Sequence, residues 1–243
     1  MIGLGTIINV ICVIVGGVIG MLFGKRLTVR FQETLMQATG VCIMFVGIGG
    51  AVEQMLSIQQ GELTSGGTVM MVVCFAIGAL IGEAINIELR IEQFGEWIKK
   101  KTGNGNDSQF VHAFVSTSLT ICIGAMAVVG SIQDGISGDY STLALKGVLD
   151  LLIVCVMSVS LGKGCVFAAI PVALFQGSIT LLARLLQPIM TEAALSNLAM
   201  TGSILIFCVG VNLVWEKKFK PANMLPTIVV AVVWALVQQQ FGG

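Results

Sequence analysis

Apolar runs long enough to cross a lipid bilayer as helices recur along these 243 residues, and that recurrence leaves few folds open. A helix needs about 20 mostly apolar residues to span the hydrocarbon core. Runs of that kind lie at residues 3–23, 38–56, 66–85, 110–132, 143–161, 164–186, 198–215 and 222–240. Only 11% of residues are charged and 56% are hydrophobic, where a soluble domain carries roughly a quarter charged residues. The sequence therefore predicts an all-α, polytopic membrane protein of eight spans, with the lipid bilayer as its principal partner. Zero formal net charge excludes the clustered basic surface that nucleic-acid binding requires.

The first run is hydrophobic from residue 2 and its first cations, Lys25 and Arg26, follow it. A cleaved signal peptide has them in front, so residues 3–23 read as a retained span. Cationic residues concentrate in cytoplasmic loops. With the N-terminus outside, the inner side receives Lys25, Arg26, Arg30, Arg90, Lys99, Lys100, Lys101, Lys163, Lys217, Lys218 and Lys220. The outer side receives Lys146 and Arg184. Eleven against two predicts eight spans with both termini outside.

Two further features shape the bundle. Residues 86–102 place Ile87, Ile91, Phe94 and Ile98 at helical spacing, with Glu88, Glu92 and Glu96 opposite and Glu96 positioned to pair with Lys100. This describes a cytoplasmic interfacial helix with Trp97 at headgroup depth. Gly16, Gly20 and Gly24, and Gly78 with Gly82, form small-residue faces on which helix backbones approach closely. They suit either another span or a second copy of the chain. The seven cysteines are scattered without CxxC or Cys/His spacing. They read as small apolar fillers, with no metal or other cofactor implied.

An internal repeat is visible. ATGVCIMFVGIGGAVE (38–53) resembles MTGSILIFCVGVNLVWE (200–216), and the spans before and after each correspond in position. Repeat A (1–85) would then recur as repeat B (164–240), flanking central spans at 110–161. The offset of five spans is odd, so the copies would be inverted in the membrane, as in many secondary transporters.

Polar chemistry concentrates where VVGSIQDG (128–135) and LFQGSITLL (174–182) share a Gly-Ser-Ile core. A glycine followed by serine weakens a helix, and irregular backbone at membrane depth is tolerated only inside protein or against a water-filled cavity. Gly130, Ser131, Gln133, Asp134, Gln176, Gly177 and Ser178 are thus candidates to line a path for a small polar solute or cation. Lys146 and Asp150, four apart on one helix face, are candidate supporting groups, as are Glu83 and Asn212. Asn9, Asn212 and Asn223 otherwise read as packing hydrogen bonds. No catalytic constellation is evident. His112 lies far along its helix from Ser131, SGDY (137–140) lacks the first glycine of a membrane aspartyl-protease motif, and nucleotide and zinc motifs are missing. The expectation is a non-enzyme.

GTIINVICVIVGGVIGMLFGKRL, GALIGE, GAMAVVGSIQDGISGDY, FQGSITLLA and NMLP together resemble the YqgA/YdfK-type bacterial membrane proteins, a family of unknown function. The resemblance runs end to end. It implies a bacterial inner-membrane protein, often described as a transport protein, and supplies no residue roles. The function expected is secondary transport or channelling of a small polar or cationic solute. The alternative is a non-transporting scaffold or sensor acting through residues 86–102.

Overall fold

The computed structural model describes residues 1–24, 26–59, 62–215 and 218–241, and its helices follow the apolar runs. α1 (Leu4–Gly24) and α2 (Val29–Met55) are joined to α3 (Thr68–Ile85) by an antiparallel hairpin of β1 (Leu56–Gln59) and β2 (Glu62–Ser65). α4 (Ile87–Lys101) precedes a bent pair, α5 (Phe110–Cys122) and α6 (Ala125–Ser137). α7 (Ser141–Leu161) leads through a 3-10 segment, Lys163–Ala168, into α8 (Ala169–Leu181) and the single turn α9 (Ala183–Leu186). α10 (Glu192–Val214), a 3-10 turn at Pro221–Met224 and α11 (Pro226–Phe241) follow. The hairpin was not anticipated from sequence. α2 starts well before residue 38, because its first turns carry Gln32, Glu33 and Gln37 outside the apolar run.

Seven of the described helical segments are long and apolar enough to cross a membrane, and α5 with α6 forms an eighth candidate bent by 64°. The start of α5 lies against Gly164, where a Cβ would strike the Phe110 carbonyl, and Gly138 after α6 lies near Met1. The bent pair therefore runs from one end of the bundle to the other and does not return on itself. With it, eight candidate crossings alternate in direction along the bundle.

Glycine spacing sets the main contacts. A Cβ on Gly16, Gly20 or Gly24 would strike the carbonyl oxygens of Leu151, Cys155 or Val159. Both sets advance by four, so α1 and α7 run parallel with backbones in contact. The glycine face of α1 is thus consumed within the chain. Gly40 meets Gly210 and Gly47 meets Ser203 and Phe207, which sets α2 antiparallel to α10. Gly78 meets Thr227 and Gly82 meets Asn223, so α3 is antiparallel to α11.

α4 packs on α5, with Gly95 against Phe114 and Ile98 buried. Its carboxylates depart from expectation. Glu96 pairs with Lys99 at 3.6 Å, not with Lys100. Glu88 is buried, its backbone N–H donating to Asn223 Oδ1 at 2.7 Å. The helix turns part of its polar face inward because it lies against the bundle.

Candidate functional site

The irregular backbone at mid-bundle lies between α5 and α6, before the first Gly-Ser point. Ile123 is extended (ψ 122°) and Gly124 adopts φ 150°, ψ 150°, a conformation side-chain-bearing residues avoid. Gly130 and Ser131 sit inside the unbroken α6, and Gly177 and Ser178 inside the unbroken α8. The expectation of breaks at the Gly-Ser points is corrected accordingly. A helix absorbs an internal glycine at about 1 kcal/mol, and packing offsets that here.

The break frees backbone groups. In a continuous helix the Ile121 carbonyl would accept from the N–H four residues on. Here it accepts from Lys146 Nζ at 2.7 Å. Lys146 also forms an ion pair and hydrogen bond with Asp150, one turn further along α7, with both side chains buried. The α1 face opposite brings in Asn9. Its Cα lies 3.3 Å from where a Gly147 Cβ would be, and its carboxamide lies beside the Asp150 carboxylate.

Neighbouring helices add to the cluster. α1 and α8 are antiparallel, with Thr6 Oγ1 and Thr180 Oγ1 3.4 Å apart. One turn deeper on these same faces come Asn9, three residues after Thr6, and Gln176, four before Thr180. α6 runs parallel to α8, with Gly135 against the Thr180 carbonyl. Stepping back four residues on each helix pairs Ser131 with Gln176. Asn9, Ser131 and Gln176 are each fully buried. Gln176 Nε2 and Oε1, Ser131 Oγ and Asn9 Oδ1 have no hydrogen-bond partner, while the Asn9 amide group is directed at the Asp150 carboxylate. Each such group costs about 1–3 kcal/mol in a closed, dry interior.

The other sequence candidates lie as follows. Asp134 is fully buried and accepts from the backbone N–H groups of Gly3 and Gly5, both at 3.1 Å. Its carboxylate thus sits at the positive end of the α1 dipole. Gln133 Oε1 accepts from Thr142 Oγ1 at 2.7 Å, tying α6 to α7, and Gly130 packs against Leu143. Ser178 is exposed, with its hydroxyl donating to the Phe175 carbonyl at 2.8 Å, and Gly177 has open space beside it. The two Gly-Ser points therefore do not line one cage: Ser131 and Gln176 converge, whereas Ser178 faces away. Glu83 accepts from Lys220 Nζ (2.8 Å) and Asn223 Nδ2 (2.6 Å). Asn212 Oδ1 accepts from the Lys218 and Phe219 N–H groups, and its Nδ2 donates to the Phe219 carbonyl, each at 2.9 Å. Both residues organise the end of the bundle away from Met1. Asp139 of the SGDY stretch accepts the Ser141 N–H, which holds its carboxyl below the usual range.

Two cavities approach the break from that far end. One of about 290 Å³ is lined by Glu88, Glu92, His112, Ser116 and Leu119. The other, about 250 Å³ and apolar, is lined by Phe94, Phe114, Leu119, Cys122 and Gly124. Leu119 lines both.

The family described as "Protein of unknown function (DUF554)" matches residues 4–236. The chain belongs to it. A relative named "Uncharacterized membrane protein YdfK", from Bacillus subtilis (strain 168), is 31% identical over 238 residues, covering 98% of both chains. Another, "Uncharacterized protein YqgA" from Escherichia coli (strain K12), is 25% identical over 236 residues, covering 94% of each. No solved structure matches. Family membership and the crossings together make the chain a multi-pass helical membrane protein.

Sequence reasoning assigned Asn9 to helix packing and passed over Thr6, Thr180 and the Ile121 carbonyl. Asn9 carried a usable signal, since it is an amide within an otherwise apolar run. The role of Ile121 had none, because it belongs to the backbone.

Proposed function

We propose that this protein moves a small polar solute across the bacterial cytoplasmic membrane as a secondary transporter or channel, with both termini outside. The observation that carries the reading is the convergence of Asn9, Ser131 and Gln176, whose unpartnered donors and acceptors surround a broken helix. Buried polar groups are nearly always paired. Three adjacent exceptions at mid-bundle suit an occupant that brings its own hydrogen bonds. Their mixed donor and acceptor character fits a neutral or zwitterionic solute. The pairing of α1 with α8, α2 with α10 and α3 with α11, each antiparallel, supports an inverted repeat and hence alternating access.

Proteoliposomes loaded with a panel of small polar solutes test this by osmotic response. One or more solutes should pass only when the protein is present, and Gln176→Leu, if folded, should abolish passage. Passage unchanged in the folded variant would remove the cluster from the path.

A further inference from the structure

We propose that the Asp150 carboxylate, the Ile121 carbonyl and the Asn9 carboxamide oxygen form a site for a monovalent metal cation, with the Lys146 ammonium as its tethered occupant. The inference deepens the transport reading by naming a coupling ion. It rests on that reading for the ion's role but not for its binding.

The donors are all oxygen, the set that hard cations select. Ile121 lies in the last turn of α5, where freed carbonyls and the negative end of the helix dipole favour a cation. Lys146 already places one there, at 2.7 Å from the Ile121 oxygen and paired with Asp150. A purely structural buried pair should use the lone pairs around it. Here the Asn9 carboxamide is fully buried with its amide group directed at the Asp150 carboxylate, yet its oxygen has no partner.

Charge sets the valence. The other titratable groups facing the pair are thiols, Cys12 from α1 and Cys122 from α5. A single carboxylate faces the ion, which favours a monovalent over a divalent cation. Among the described residues there is no cluster of three or more His, Cys, Asp or Glu side chains able to hold a metal ion. Lysine is a compact charge on a flexible stem, and Gln176 Oε1 and Ser131 Oγ are unused acceptors in the adjoining polar cluster for the displaced ammonium.

The test is equilibrium binding of radiolabelled sodium and rubidium to the purified full chain, with choline chloride holding ionic strength constant. Lys146→Met removes the competitor, so binding of at least one of the two ions should tighten about tenfold or more. Adding Asp150→Asn should abolish it. A folded Lys146→Met chain that binds neither ion above the Asp150→Asn background overturns the proposal. If Lys146→Met fails to fold, the wild type decides. Saturable binding lost in Asp150→Asn is expected, and no saturable binding overturns the site. Cation binding without solute passage would sink the transport reading alone, and solute passage without cation binding would sink this site alone.

Discussion

Asp134 carries much of the order at the N-terminal end of the bundle. Two of the first backbone N–H groups of the chain, those of Gly3 and Gly5, end on its carboxylate from across 131 and 129 positions of sequence. A helix start has orphan donors that need such a partner. Asp134→Ala should lower unfolding free energy by about 2 kcal/mol, measured by thermal unfolding in detergent. Asp134→Asn, which keeps one acceptor oxygen, should cost about half that. Asn223 does similar work at the far end, joining the Glu88 N–H to the Glu83 carboxylate. Asn223→Ala should cost about 1–3 kcal/mol by stranding the buried N–H. Asp134, Lys146, Asp150 and Gln176 were singled out in sequence as polar groups in or beside apolar runs, and all four are buried. Their partners were not legible, because a carboxylate in a sequence does not say which backbone it will cap.

Among the helices, glycine separates close approach from mere tolerance. A Cβ on Gly20 would strike the Cys155 carbonyl, whereas one on Gly177 meets open space. Gly20→Ala should therefore destabilise by about 1–3 kcal/mol through overpacking. Gly177→Ala should be neutral or stabilise by up to about 1 kcal/mol, and comparison of the two unfolding midpoints checks both. The glycine periodicity of α1 foretold a close neighbour, and three-dimensional packing decided that the neighbour is α7. The break between α5 and α6 was misplaced for a related reason. Gly-Ser looks weak locally, but α6 packs Gly130 against Leu143 and Gly135 against Thr180, which holds the helix together. At Ile123–Gly124 the break is compensated by Lys146, a donor 25 residues downstream of the carbonyl it serves. Gly124→Ala should cost about 1–3 kcal/mol, because its backbone conformation suits glycine alone.

At the scale of the molecule, the apolar runs made a multi-pass helical architecture of seven to eight candidate spans readable from sequence alone. The polar interior was only half readable. Ser131 and Gln176 were singled out correctly as interior groups, but Ser178 was placed beside them although its helix turns it outward. One helical position decides between core and lipid, and a shared Gly-Ser-Ile motif does not fix that rotation. The central claim is that water and solute reach the cluster of Asn9, Ser131 and Gln176. Single cysteines at Ser131 and Gln176, with Ser178→Cys as the outward-facing control, in a chain stripped of its seven native cysteines, test it with membrane-impermeant thiol reagents applied from each side. The account predicts that Ser131→Cys and Gln176→Cys react, with protection by a transported solute, while Ser178→Cys gains no such protection. Well-folded protein in which neither interior cysteine reacts from either side would contradict it.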